Sequence, residues 1–225
     1  MMRIFIGYDR VVEVTYHVLC HSIQRFSKSP VSITPLELRQ LGNLIDRPRE
    51  PEQSNEFTFS RWLVPYLSGY QGWSLFIDCD MLVRSDIREL FSLQDNSYAV
   101  QCVKHNHVPD EEVKFLGAMQ TKYDKKNWAS VMLFNNAKCT ALTPYYINRI
   151  ASRLDLHQFK WLGDDNLIGE LPPEWNHLVG YDDPNPDAKI VHYTEGGPYF
   201  DEYADCEFAD EWIDECKSML HCEQL

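Results

Sequence analysis

The chain has no apolar run that approaches membrane-spanning length. Its opening, Met1-Met2-Arg3-Ile4-Phe5-Ile6-Gly7, is far too short for the hydrophobic region of a secretory signal. Both absences make the cytoplasm the expected location. A Cys-x-x-Cys pair is also missing. The seven cysteines (Cys20, Cys79, Cys102, Cys139, Cys206, Cys216 and Cys222) are odd in number. They read as reduced, core-filling thiols, which excludes a disulfide framework or a cysteine-built zinc site. Basic residues are in short supply, 21 Lys and Arg against 34 Asp and Glu. The resulting net charge of −13 argues against a general nucleic-acid binder. A small anionic ligand stays possible, because a metal ion and one or two local cations reverse the sign at a site. Nor is there an internal repeat or an evident linker, so residues 1–225 are expected to form one domain. What is present is a 44% hydrophobic content with 13% aromatics, enough for a packed core and against disorder.

The most informative segment is Trp73-Ser74-Leu75-Phe76-Ile77-Asp78-Cys79-Asp80-Met81-Leu82-Val83. A short, bulky apolar run reads as a buried strand and ends in two aspartates one residue apart. The carboxyl end of a strand is where open α/β sheets place their ligands. Two carboxylates there repel each other and resist burial, so they need a balancing charge. A divalent cation with oxygen ligands, Mg²⁺ or Mn²⁺, supplies it economically.

Around that segment the chain alternates strand and helix. Arg3 to Tyr8 reads as a first strand and Gly7-Tyr8-Asp9 as the turn leaving it. Val12, Tyr16, Leu19, Ile23 and Phe26 recur at helical spacing, and Val31 to Leu36 follows as a second strand, completing a βαβ unit. The polar, proline-containing stretch from Gly42 to Glu56 is expected to be a mobile loop. Phe57 to Leu67 looks helical, with Pro65 bending or ending it. Ser85-Asp86 is placed to cap a short helix through Phe91. Further strands are expected at Tyr98–Val103, Val131–Phe134 and Lys189–His192, with a polar loop at 104–126. A helix should begin at Thr143-Pro144 and run toward Leu154. A closing helix should bury Phe208, Trp212, Cys216 and Leu220, with the acids of 201–215 on its solvated face. The pattern is α/β, with a mixed sheet possible.

Other groups could carry chemistry. Gly163-Asp164-Asp165-Asn166 puts two acids after a glycine. His192 ends a short strand and could complete a metal site with Asp78 and Asp80, although a strand-end histidine is more often structural. Arg61 interrupts an apolar helix. It is either an outward surface residue or a phosphate clamp, for which its guanidinium fork is suited. His105-Asn106-His107 lacks a nearby third ligand and reads as polar loop.

Two enzyme classes start from a strand ending in Asp-x-Asp. Haloacid-dehalogenase-like phosphatases fit superficially through Ile77-Asp78-Cys79-Asp80 and Gly163-Asp164-Asp165. Met81 and Leu82 then stand where that family has small or hydroxylated residues, and a βαβ unit precedes the strand. The second class fits in five ordered places. Phe59-Ser60-Arg61-Trp62-Leu63-Val64-Pro65-Tyr66-Leu67, Phe76-Ile77-Asp78-Cys79-Asp80 and Ser85 to Phe91 resemble successive segments of the family-8, glycogenin-like glycosyltransferases. Gly163-Asp164-Asp165 falls where they have Gly-Asp-Gln, and Leu171-Pro172-Pro173-Glu174-Trp175-Asn176 with Val191-His192-Tyr193 completes the series.

The resemblance implies a GT-A fold, Rossmann-like, with a central mixed, mostly parallel sheet flanked by helices. It implies a nucleotide-binding half at about 1–103 and an acceptor-side half at about 104–225. Transfer of a sugar from a nucleotide sugar, expected to be a UDP-sugar, to a glycan or other hydroxyl acceptor would proceed with retention. Asp78, Asp80 and His192 would hold Mn²⁺ or Mg²⁺, and Gly7, Tyr8 and Asp9 would hold the nucleoside. Asp164 and Asp165 would face the sugar. Two departures stand out. Trp128-Ala129-Ser130 replaces an Asn and a small-Gly pair, and Gly197-Pro198-Tyr199 replaces a Lys-Pro-Trp whose lysine meets the diphosphate. Arg61 or Lys104 would then carry more of the phosphate binding. A catalytically silent nucleotide or sugar binder is the third possibility.

Overall fold

The computed structural model describes residues 1–50, 53–106 and 124–220. Strand β1 (Met2–Gly7) leads through a 3-10 turn at Arg10–Val12 into helix α1 (Glu13–Phe26), and β2 (Val31–Leu36) returns beside β1. The two strands are parallel, from Met2 opposite Val31 to Gly7 opposite Leu36. The helical spacing puts Val12, Leu19 and Ile23 in the core, with Val18 alongside, while Tyr16 and Phe26 are half-buried at its margin. After β2 come α2 (Leu38–Leu41), α3 (Val64–Leu67), β3 (Trp73–Ile77), β4 (Met81–Val83), α4 (Ile87–Phe91), β5 (Val100–Cys102) and β6 (Val131–Asn135). The chain closes with α5 (Arg153–His157), β7 (Ile168–Glu170), β8 (His177–Leu178), β9 (Ile190–His192) and α6 (Ala209–Met219).

Six strands form the central sheet in the order β2-β1-β3-β6-β5-β7. Among the described residues only β6 runs antiparallel to its neighbours, β3 and β5, so the sheet is mixed and mostly parallel. Every residue of β6 and all of β3 after Trp73 are buried, which is why both read as mainly apolar runs, with Ser74 and Asn135 the polar residues, rather than alternating ones. Each such Val, Leu, Ile or Phe contributes roughly 1.5–3 kcal/mol by leaving water. A smaller sheet, β4-β9-β8, lies next in the chain path after β3, and α1 packs against β4 and α6.

Several expectations change. The 57–67 segment is a 3-10 turn at Ser60–Leu63 followed by α3, with Pro65 in the first helical turn, where its missing N–H costs nothing. The helix expected from Thr143 to Leu154 breaks at Ala151. A π-helical turn, Tyr146–Ile150, ends there, and Ser152 starts α5 with a capping box closed by Asp155. Gly42–Glu56 opens with a 3-10 turn at Gly42–Leu44, and side-chain contacts tie its described part to the rest of the fold. Arg47 donates to the carbonyls of Ile147 (2.7 Å) and Ala151 (3.0 Å), and its guanidinium lies 3.7 Å from the Phe59 ring centre. Residues 51 and 52 lie outside the described residues, as do 107–123 of the expected 104–126 loop, including His107.

Leu220 is 60% exposed and lies past the end of α6, so the apolar stripe stops before it. Glu215 is the other surprise on that helix. It is buried, not solvated, because it turns inward to the His21 Nδ1 (2.6 Å) and Arg25 side chains of α1. Cys20, Cys79, Cys102, Cys139, Cys206 and Cys216 are free thiols, and Cys222 lies outside the described residues. No helix among the described residues is long and apolar enough to cross a membrane.

Candidate functional site

Asp78 and Asp80 occupy the crossing from the large sheet to the small one. The Asp78 N–H donates to the Ser130 carbonyl (2.9 Å), which ends β3 against the start of β6. Two residues later the Asp80 carbonyl accepts from the Tyr193 N–H (3.0 Å), and β4 begins with Met81 paired to His192. Backbone pairing therefore delivers His192 next to Asp80 although 112 positions separate them in the sequence (192 − 80). His192 Nε2 lies 3.6 Å from Asp80 Oδ1. One ligand atom from each of Asp78, Asp80 and His192 falls within 4.8 Å of the others. Cys79, between the two acids, is buried with its thiol against Thr15 of α1; burial and the Asp80 charge push that thiol well above its ordinary range. A protonated thiol there is a core residue, not a nucleophile.

Arg61 is not a surface residue. It is 4% exposed, with Nη1 2.9 Å from Asp78 Oδ1 and 2.8 Å from the Ala129 carbonyl, and Nε on the Phe57 carbonyl (3.4 Å). The guanidinium also lies 5.1 Å from the ring centres of both Phe57 and Phe76. Its fork thus locks the Asp78 carboxylate, the 57–61 turn and the 129 backbone together.

At the end of β1, Gly7 is where Phe57 crosses: a Cβ on Gly7 would sit 2.4 Å from the Phe57 ring. Asp9 is buried. Its two oxygens accept from the Val11 N–H (3.0 Å) and the Glu56 N–H (3.1 Å), and Arg10 doubles the link by pairing with Glu56. Tyr8 is half-buried, set edge-to-face on Tyr16 at 5.1 Å, and bonded to Glu13, which with some burial pushes its phenol up to about 12. Asp164 and Asp165 are both exposed. Asp164 caps a 3-10 turn at Asp165–Leu167 by accepting from the Asn166 N–H (2.9 Å), while Asp165 pairs with Lys125 Nζ at 2.5 Å. Lys125 and Lys104 both approach the Trp128 ring (6.0 and 5.7 Å), and the Trp128 indole N–H donates to the His105 carbonyl (2.8 Å). Trp128 precedes the Ala129 and Ser130 carbonyls that bind Arg61 and Asp78, so this group borders the acidic cluster through the backbone.

Sequence reasoning assigned no role to Asn176 or Ser130, both buried under His192. Their signal was present: Asn176 closes the Leu171-to-Asn176 segment, and Ser130 is one of the departures. A cavity of about 660 Å³ lined by Arg3, Trp73, Arg88 and Phe91 lies at the starting ends of β1 and β3, away from Asp78.

The donor set suits a hard or borderline divalent ion. Two carboxylates favour Mg²⁺ or Mn²⁺, and the imidazole tilts the preference toward Mn²⁺.

The fold is that of the GT-A glycosyltransferases. The chain superposes on WbbM, a bifunctional glycosyltransferase, with a TM-score of 0.69, 18% identity and 96% of this chain covered. GlyE of Streptococcus pneumoniae gives 0.64, 16% and 98%. The galactosyltransferase LgtC, in a complex with donor and acceptor sugar analogues, gives 0.61 at 14% identity, covering 96% of both chains. The chain spans 49% of the WbbM chain and 63% of the GlyE chain. No family model matches. Within that fold the chain belongs to the family of Protein CDI of Arabidopsis thaliana, to which it is 47% identical over 223 residues, 95% of this chain and 85% of the Arabidopsis protein.

Proposed function

We propose that the protein is a metal-dependent glycosyltransferase that moves a sugar from a nucleotide sugar, a UDP-sugar, to a glycan or other hydroxyl acceptor with retention. One observation carries this reading: Asp78, Asp80 and His192 converge where the two sheets of a GT-A fold meet. Those three residues would hold Mn²⁺ or Mg²⁺. Such an ion, when bound, supplies Lewis-acid stabilisation of the charge that grows on the leaving diphosphate. Arg61 orients the Asp78 carboxylate. Lys104, on the Trp128 side of the cluster, adds positive charge for the phosphates. Tyr8, with Gly7 and Asp9 shaping the turn beneath it, offers an aromatic edge to the nucleoside. Asp164 and Asp165 would face the sugar or its acceptor.

On this reading residues 1–225 act as one catalytic domain, the donor half at about 1–103 and the acceptor half at about 104–225. The phosphatase alternative is not favoured, since the Asp78 strand lies inside a sheet already begun by a βαβ unit. A silent binder is distinguished by turnover with acceptor present.

The test is thermal unfolding with UDP, GDP and CDP, each with and without Mn²⁺. At a hundredfold excess over Kd, a ligand stabilises the native state by about 2.7 kcal/mol. That is a rise in Tm of roughly 5–10 °C for a chain of this length. A shift with UDP that needs Mn²⁺, and that vanishes in Asp80→Ala, is expected. No shift with any nucleotide would overturn the proposal.

A further inference from the structure

The buried polar groups beneath His192 form a chain with only one consistent arrangement of protons. Asn176 is fully buried, and His192 and Ser130 are 2% and 3% exposed. Asn176 Nδ2 donates to the Asn127 carbonyl (3.3 Å) and to Ser130 Oγ (2.9 Å). The Ser130 hydroxyl in turn donates to the same Asn127 carbonyl (2.6 Å). A carbonyl only accepts, so the amide cannot be turned round without setting two acceptors against each other. The Asn176 oxygen is therefore the atom 3.1 Å from His192 Nδ1. An amide oxygen also only accepts, so in the neutral ring the proton sits on Nδ1. The lone pair is left on Nε2, the atom 3.6 Å from Asp80 Oδ1.

We infer that Asn176, anchored by Ser130, is a positioning residue that fixes His192 in the tautomer whose Nε2 is free to bind a cation. The inference builds on the cation reading above, although the tautomer itself stands without it. It also gives a use to Ser130: a glycine there would offer Asn176 no hydroxyl. Partners of this kind hold a ligand ring in orientation as well as in tautomer. Their loss typically weakens metal binding by about 10–100-fold.

The experiment uses the full chain, free of metal, labelled with ¹⁵N-histidine and held at pH 8. Long-range ¹H–¹⁵N spectra report which ring nitrogen carries the proton, and the His192 signals are assigned by their loss in His192→Gln. Mn²⁺ affinity is measured separately by calorimetry. In the wild type the proton is expected on Nδ1. Asn176→Leu should move it to Nε2 or give a mixture, and weaken Mn²⁺ binding about 10–100-fold. Asn176→Asp keeps an acceptor facing the ring, so it should keep the Nδ1 proton; its second oxygen opposes the Asn127 carbonyl, so only part of the affinity should return. A merely structural asparagine would not show that split. A wild-type proton on Nε2 overturns the inference without any variant, which covers the case in which Asn176→Leu does not fold. A folded Asn176→Leu with the wild-type tautomer and affinity overturns it too. If the tautomer behaves as stated but the wild type binds no Mn²⁺, the positioning role holds and the cation reading falls.

Discussion

Arg61 Nη1 lies 2.9 Å from Asp78 Oδ1, and the two side chains keep only 5% and 10% of their exposure. A guanidinium this deep is held by acceptors on every side it uses, and the carboxylate beside it is held in turn. Removing one member of such a pair leaves the other charged and desolvated, which typically costs about 3–5 kcal/mol. Arg61→Met should therefore lower the urea-unfolding free energy by roughly that much, with the unfolding slope unchanged. Arg61→Lys should recover only part of it, because one ammonium cannot reach the Phe57 and Ala129 carbonyls and Asp78 together. A loss under about 1 kcal/mol in Arg61→Met, the scale of an exposed pair, would show that other groups balance Asp78.

Gly7 and Phe57 make a second pair whose coupling is measurable. The Phe57 ring crosses β1 so closely that a methyl on residue 7 would overlap its Cγ and Cδ2 at 2.4 Å. The ring cannot retreat easily, being 2% exposed and packed on Phe76 at 6.3 Å between centres. Gly7→Ala should cost about 1–3 kcal/mol as overpacking. Phe57→Leu shortens the obstructing group, so the double variant should lose less than the sum of the singles. Simple additivity in urea titrations would mean that the backbone, not the ring, accommodates the methyl.

The parts legible in the sequence were those encoded locally. The βαβ opening followed from Val12, Leu19 and Ile23 at helical spacing between two apolar runs. The cap at Ser85-Asp86 was visible because capping residues act over one turn, and of the two it is Asp86 whose side chain accepts from the Arg88 N–H at 3.0 Å. The break at Ala151 was missed although Ser152 and Asp155 carry a capping-box spacing, since Pro144 at the start of the same stretch gave a stronger helix signal. What could not be read locally depended on distant partners. Glu215 looks solvated until His21, 194 residues away, is brought against it. The antiparallel direction of β6 leaves no mark on a fully buried run, because both faces are apolar whichever way it points. The acidic cluster was legible in the two aspartates that end one apolar run and the histidine that ends another. The Asn176–Ser130 link beneath it arises only when β6 and the 171–176 segment meet.

His157 makes stability depend on pH. Its ring is 8% exposed, edge-to-face with Trp62 at 5.6 Å between centres, and close to the Arg153 carbonyl at 2.9 Å from Nδ1. Burial first, and then the positive charge of Arg61, hold its pKa down to about 3. The unfolded chain has an ordinary histidine there, so between roughly pH 6.5 and 3 the unfolded state binds a proton that the folded state refuses. Stability from this residue is therefore complete above pH 6.5 and lost as pH falls through the window, at up to about 1.4 kcal/mol per pH unit. His157→Gln removes the titrating group while keeping a polar side chain. Between pH 8 and pH 5 the wild type should lose about 2 kcal/mol more than the variant in urea unfolding. The comparison isolates one residue, because carboxylates titrate equally in both chains. Equal losses would place the pH response elsewhere and return His157 to the solvent.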